Sequence, residues 1–91
     1  MKFEWDPQKA DSNQKKHGVS FQEAASALGD ALSITYPDPD HSVKEYRFIT
    51  VGMSRLGRVL IVAHTDRRGN IRIISARKTT RQERRYYEEG E

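Results

Sequence analysis

Phe3 and Trp5 alternate with polar neighbours, so Lys2 to Trp5 predicts a short opening strand. Asp6 and Pro7 then start a helix, because aspartate caps free amides and proline is tolerated at the first helical position. Gly18 is placed to end it. Ala10, Asn13 and His17 share one face of this helix, which therefore either rides on the surface or carries inward polar groups held by hydrogen bonds. A second helix follows: Ser20 and Glu23 have the spacing of a capping box, and Val19 can staple onto Ala24. Phe21, Ala24, Ala25 and Leu28 form its apolar stripe, which reads as core, and Gly29 closes it.

The period then shortens to two. Leu32, Ile34 and Tyr36 alternate until Pro37, Asp38, Pro39 and Asp40 break the pattern. Tyr46 to Met53, Arg58 to Thr65 and Ile71 to Arg77 follow as three strands. Their links, residues 54–57 and 66–70, have hairpin length. Arg58 to Thr65 is apolar on both faces and belongs in the middle of the sheet. Thr80 and Glu83 repeat the capping-box spacing and open a last helix through Tyr86, Tyr87 and Glu88. Helices segregated from an antiparallel sheet of four to five strands define an α+β domain over residues 1–91, with two N-terminal helices and one C-terminal helix.

The composition, 35% apolar and 32% charged, supports one modest core under a heavily solvated surface. With no cysteine, disulfides and thiolate zinc sites are excluded. MKFEWDPQKA has no signal-peptide core and no run reaches membrane-span length, so a cytoplasmic protein with no membrane role is expected.

Charge is divided unevenly. Residues 1–45 hold five Lys and eight Asp or Glu, whereas residues 46–91 hold eleven Lys or Arg and five Asp or Glu. Arg67, Arg68, Arg72, Arg77, Lys78, Arg81, Arg84 and Arg85 crowd one stretch in which only Glu83 opposes them. Arginine in that density suits bidentate phosphate recognition, though a solvated face or a surface for an acidic protein has the same appearance.

Three histidines are candidates for proton transfer. His64 ends the central strand and points with Leu60 and Val62, where it can equally be a satisfied core residue. His17 can cap carbonyls and meet the helix dipole. His41, beside Asp38 and Asp40, would make a poor cation cage in a proline-rich loop, so no metal and no other cofactor is expected. A covalent hydrolase lacks its nucleophile elbow, and Gly52 and Gly57 fit hairpin turns better than a phosphate loop. The remaining inventory suits metal-free RNA cleavage, in which a 2′-hydroxyl attacks the adjacent phosphorus while arginines stabilise phosphoryl charge and His, Lys or Tyr moves protons.

Four segments carry a family resemblance. FEWDPQKADSNQKKHGVSFQEA at 3–24, YRFITVGMS at 46–54, LIVAHTDR at 60–67 and RIISARKTTRQERRYYE at 72–88 resemble the successive signatures of BrnT-type toxins. The resemblance implies a RelE-like fold and an mRNA-cleaving toxin that arrests translation and growth. It also implies a BrnA-type antitoxin, in a heterotetramer of two toxins and two antitoxins, whose dimeric DNA-binding domain represses the shared operon. DNA would thus be engaged only indirectly, and RNA would be the substrate. Motif positions carry over as candidates. Arg67, Arg77, Arg81, His64 and Tyr87 are assigned to catalysis, with the three arginines holding the scissile phosphate. Lys16, His17, Arg72, Lys78, Arg84 and Arg85 are assigned to RNA binding, while Asn13, Phe3, Trp5 and Ser75 hold the fold. Arg77 and Arg81 are expected to converge near the last helix N-terminus, the alternative being that Arg77 pairs with Glu83 or Glu88 and braces the helix.

Two other functions fit less well. A gyrase inhibitor is compatible with the fold the resemblance implies. A noncatalytic nucleic-acid module lacks a stacking platform beyond Tyr46 and Phe48, and the first helix pair is too acidic for a recognition helix.

Overall fold

The computed structural model describes residues 2–38, 40 and 46–90. Its elements are β1 (Phe3–Glu4), α1 (Pro7–His17), α2 (Phe21–Leu28), β2 (Ile34–Pro37), β3 (Arg47–Met53), β4 (Val59–Arg67), β5 (Asn70–Lys78) and α3 (Arg81–Glu89). They form one five-stranded sheet in the order β1-β5-β4-β3-β2, with β4 in the middle as its two apolar faces require. The expected α+β class holds. The sheet is mixed rather than wholly antiparallel, because β1 runs parallel to β5 through Phe3–Ile71 and Glu4–Arg72. Leu32, expected to open β2, lies outside the strand and is 75% exposed. Its amide is held by Asp30 Oδ1 at 2.9 Å, a local bond that favours a turn over the ladder.

Helices α1 and α2 cover one face. Val19, Phe21, Ala24, Ala27, Leu60, Val62, Ile73 and Ala76 are packed there, with Trp5 set edge-on to Phe21 at a ring separation of 5.9 Å. The polar inward face of α1 is resolved by Asn13. Its amide donates to Val19 O at 2.9 Å and Ala76 O at 2.8 Å, and its oxygen accepts from Ala76 N at 3.1 Å. Asn13 thus takes the place of a neighbouring strand along the outer edge of β5. Ser20 caps α2 through Glu23 N, but the Glu23 carboxylate does not return to the cap. Only 3% exposed, Glu23 instead receives Arg58 Nε at 2.9 Å, Arg58 Nη2 and Ser54 Oγ at 2.7 Å, which ties α2 to the β3–β4 turn.

Gly52 lies within β3, not in a turn, and a Cβ there would stand 2.5 Å from Ala27 O of α2. Gly52→Ala is expected to force α2 off the sheet and cost about 2 kcal/mol, measurable by denaturant unfolding.

Val51, Val59 and Ile61 form the core of the opposite face, with Ile49 and Tyr87 packed against them. Helix α3 has both halves of its Thr80–Glu83 capping box but buries no residue fully. Much of this second face therefore lies open, and the register of β5 decides what it displays. Ile73 pairs with His64 and Ser75 with Ala63, so Ile74 is an extra residue, a β-bulge. An odd and an even residue, Ile73 and Ala76, can then both enter the core, while Arg72, Ser75 and Arg77 pair with Thr65, Ala63 and Ile61 on the open side.

Candidate active site

A groove of about 420 Å³ runs over the open face. Its floor is Ile49, Ile61 and Ala63, and its polar lining comes from His17, Asp38, Arg47, Ser75 and Arg77. His17 ends α1, which Asn13 fixes against the edge of β5. Arg47 begins β3, and Arg77 is aimed outward by the bulge. Residues separated by sixty positions in the chain thereby present an imidazole and two guanidinium groups to one concavity.

Arg77 is not a free cation. Nη1 and Nη2 donate to Glu83 Oε1 and Oε2, both at 2.9 Å, and Nη1 also donates to Lys78 O at 3.2 Å. Those bonds hold the Glu83 carboxyl at about 2 and raise the guanidinium pKa further. The pairing with Glu83 foreseen as the bracing alternative is thus present, and Arg77 still lines the groove.

The other expected site residues are dispersed. Arg81 does not line the groove with Arg77. It lines a separate recess of about 220 Å³ with Arg58, Lys78 and Arg84 at the start of α3. Arg67 ends β4, six residues beyond the partner of Arg77 and roughly 20 Å along the strand. Near it Arg72 pairs with Glu4 at 3.0 Å. Arg84 and Arg85 pair with Glu88 and Glu89 one turn on, at 3.0 and 3.8 Å. Lys16 lies beside His17 but lines a neighbouring recess against Ile74 and Ser75. Lys16, Arg67, Lys78 and Arg81 carry no ion pair among the described residues.

His64 and Tyr87 are engaged elsewhere. His64 faces the helix-covered side, 7% exposed, with Nε2 2.7 Å from Thr50 Oγ1, which lies 2.7 Å from Thr35 Oγ1. Its buried Nδ1 has no partner among the described residues. A lone acceptor costs less there than a lone donor, so the favoured tautomer carries its proton on Nε2. Burial lowers the His64 pKa below 6.5. The unfolded chain therefore takes up this proton first: the stability is intact above about 6.5 and is lost as pH falls through the folded value. Unfolding across this range should show that loss, and His64→Leu should flatten it. Tyr87 donates its hydroxyl to Asp30 Oδ2 at 2.5 Å, which pushes its pKa up to about 12 and fastens α3 to the α2–β2 turn.

His41 lies outside the described residues, among which no three His, Asp or Glu side chains converge as a metal cage. A further groove, about 520 Å³ between β2 and α3, is bounded by Tyr36, Val51, Ile61, Thr80, Gln82, Glu83 and Tyr86. It presents no cation, so the histidine–arginine groove beside it is the better candidate for phosphate chemistry. Sequence reasoning missed Arg47 and assigned Ser75 to the fold. A signal for both lay in the alternation: Arg47 is in phase with Ile49 and Val51, and two apolar residues of unlike parity, Ile73 and Ala76, demand a bulge between them.

An α+β fold whose open sheet face carries Arg47, Arg72 and Arg77 defines a small basic single-sheet protein. Residues 5–83 match the family model described as the ribonuclease toxin BrnT of type II toxin–antitoxin systems, and the chain belongs to that family. The structure is similar to the crystal structure of the Brucella abortus ribonuclease toxin BrnT. The TM-score is 0.70 at 21% identity, over 89% of this chain and 99% of that one. No curated protein sequence matches the chain. No helix among the described residues is long and apolar enough to cross a membrane.

Proposed function

We propose that this protein is a cytoplasmic endoribonuclease toxin that cleaves mRNA without a metal ion, arrests translation and growth, and is neutralised by a BrnA-type antitoxin. The observation that carries the reading is the meeting of His17, Arg47 and Arg77 in one groove of a ribonuclease-toxin fold. In the proposed reaction the 2′-hydroxyl attacks the neighbouring phosphorus and the 5′-oxygen departs, leaving a 2′,3′-cyclic phosphate. One proton leaves the 2′-oxygen and one reaches the 5′-oxygen. The His17 imidazole is the group in the groove suited to move a proton, and Arg77 with Arg47 stabilises the charge that grows on the phosphoryl oxygens.

The remaining cations extend this groove rather than share its phosphate. Arg67 and Arg72 at one end, and Lys78, Arg81 and Arg84 at the other, meet neighbouring phosphates of the same strand. His64 and Tyr87 serve the reaction by fixing the sheet and α3, and Lys16 and Arg85 add to the general attraction. Purified protein is expected to cut a defined single-stranded RNA and to leave DNA supercoiling by gyrase unaffected. Intact RNA with blocked supercoiling would replace this reading with a gyrase inhibitor.

The antitoxin, in a complex of two toxins and two antitoxins that meets DNA through its own domains, covers the basic open face. An acidic or apolar segment there excludes RNA both by charge and by bulk. Hydrogen exchange of the complex should show new protection across β5 and α3. Protection confined to residues 6–30 would contradict it.

A further inference from the structure

We infer that Glu83 is a positioning residue: it grips one end of the Arg77 guanidinium so that the remaining side-on pair of N–H groups is presented to the groove as a two-point receptor for phosphoryl oxygens. The inference rests on the RNA-cleaving reading of the groove and assigns a role within it to a carboxylate outside it.

A guanidinium has five N–H groups. In Arg77, Nη1 spends both of its hydrogens, one on Glu83 Oε1 and one on Lys78 O, and Nη2 spends one on Glu83 Oε2. Nε–H and the outward Nη2–H are left, with no partner among the described residues. These two lie parallel on one edge, the fork that matches a phosphate bidentately. Arg77 lines the groove with His17 and Arg47, whereas Glu83 lines the neighbouring recess with Tyr36 and Tyr86. The carboxylate thus holds the guanidinium from outside the groove.

Glu83 cannot simply follow the arginine, because its Oε1 also accepts Thr80 N at 2.8 Å at the start of α3. The pair therefore fixes orientation but offsets Arg77's charge, and the two effects act in opposite senses. Offset charge weakens attraction for a ground-state phosphate, while fixed orientation favours the more highly charged transition state. A residue that merely braces α3 has no such split.

The experiment follows the arginine Nε–H resonances of the full protein while RNA methylated at every 2′-hydroxyl, and so uncleavable, is added. The Arg77 signal is assigned by its absence in Arg77→Lys. In the unaltered protein this signal should shift and saturate with binding. Glu83→Gln should lose the ordered signal and bind this RNA as tightly or a few-fold more tightly. It should cleave ordinary RNA about tenfold more slowly in kcat, with a KM that does not rise. If Glu83→Gln fails to fold, Glu83→Asp keeps the charge, falls short of both contacts, and should show the same slower kcat. An unmoved Arg77 signal at saturation, or a folded variant with undiminished kcat, overturns the inference. A shifting signal in a protein that cuts no RNA leaves the phosphate receptor standing and removes the ribonuclease reading instead.

Discussion

Arg77→Ala is expected to lower RNA cleavage by about a hundredfold or more, on the order of 3 kcal/mol of transition-state stabilisation, in a protein that stays folded. Arg77 lines the groove together with His17 and Arg47, and alanine leaves the phosphoryl charge with one arginine fewer. The structural cost is small by comparison. Arg77 and Glu83 are both partly exposed, with side chains 42% and 33% accessible, so losing their ion pair costs at most about 1 kcal/mol. Glu83 also keeps its second anchor on Thr80 N. Cleavage rates measured beside melting curves separate these contributions. A folded Arg77→Ala protein of undiminished activity and toxicity would remove Arg77 from the site. Arg81→Ala, in the other recess, should chiefly weaken RNA binding and lower its salt dependence by about one phosphate contact.

The largest effect on stability is expected at Asn13. Asn13→Ala removes three hydrogen bonds at once and leaves Ala76 N, Ala76 O and Val19 O without these partners at the buried junction of α1 and β5. Each such orphan costs about 1–3 kcal/mol, and after partial relaxation the sum should be at least about 3 kcal/mol, much of the stability of a small domain. Asn13→Asp should be no better, because its carboxylate would face two carbonyl oxygens that the amide now satisfies. Function should suffer along with the fold. Asn13 holds α1 against β5 at Ala76, one residue before Arg77 and four before His17 along the helix, so the two walls of the groove share this one side chain. Denaturant unfolding with an unchanged midpoint would refute the assignment.

What could be read from the chain was local. Asp6, Ser20 and Thr80 cap the three helices as their positions suggested, and the two-sided apolar run around Ile61 does occupy the centre of the sheet. The departures all depend on partners far off in sequence. Two residues of β1 find a parallel neighbour only because Ile71 and Arg72 leave an edge open. Glu23 abandons its own helix cap for Arg58, thirty-five residues away, since a buried carboxylate gains more from a guanidinium than from an amide. Tyr87 finds Asp30 across fifty-seven positions. The arginine cluster showed the same limit. Its density was plain in the sequence, but strand parity and one bulge divide it, leaving Arg77 in the groove, Arg81 in another recess and Arg67 at the far end of β4.

Metal-free cleavage by internal attack of the 2′-hydroxyl leaves its signature in the ends of the cut RNA. The purified protein should be incubated with a defined RNA in EDTA and the new 3′ ends identified. Cleavage should persist in the chelator and leave a 2′,3′-cyclic phosphate or the 3′-phosphate formed by its opening. A 3′-hydroxyl end, or activity that disappears with EDTA, would contradict the account.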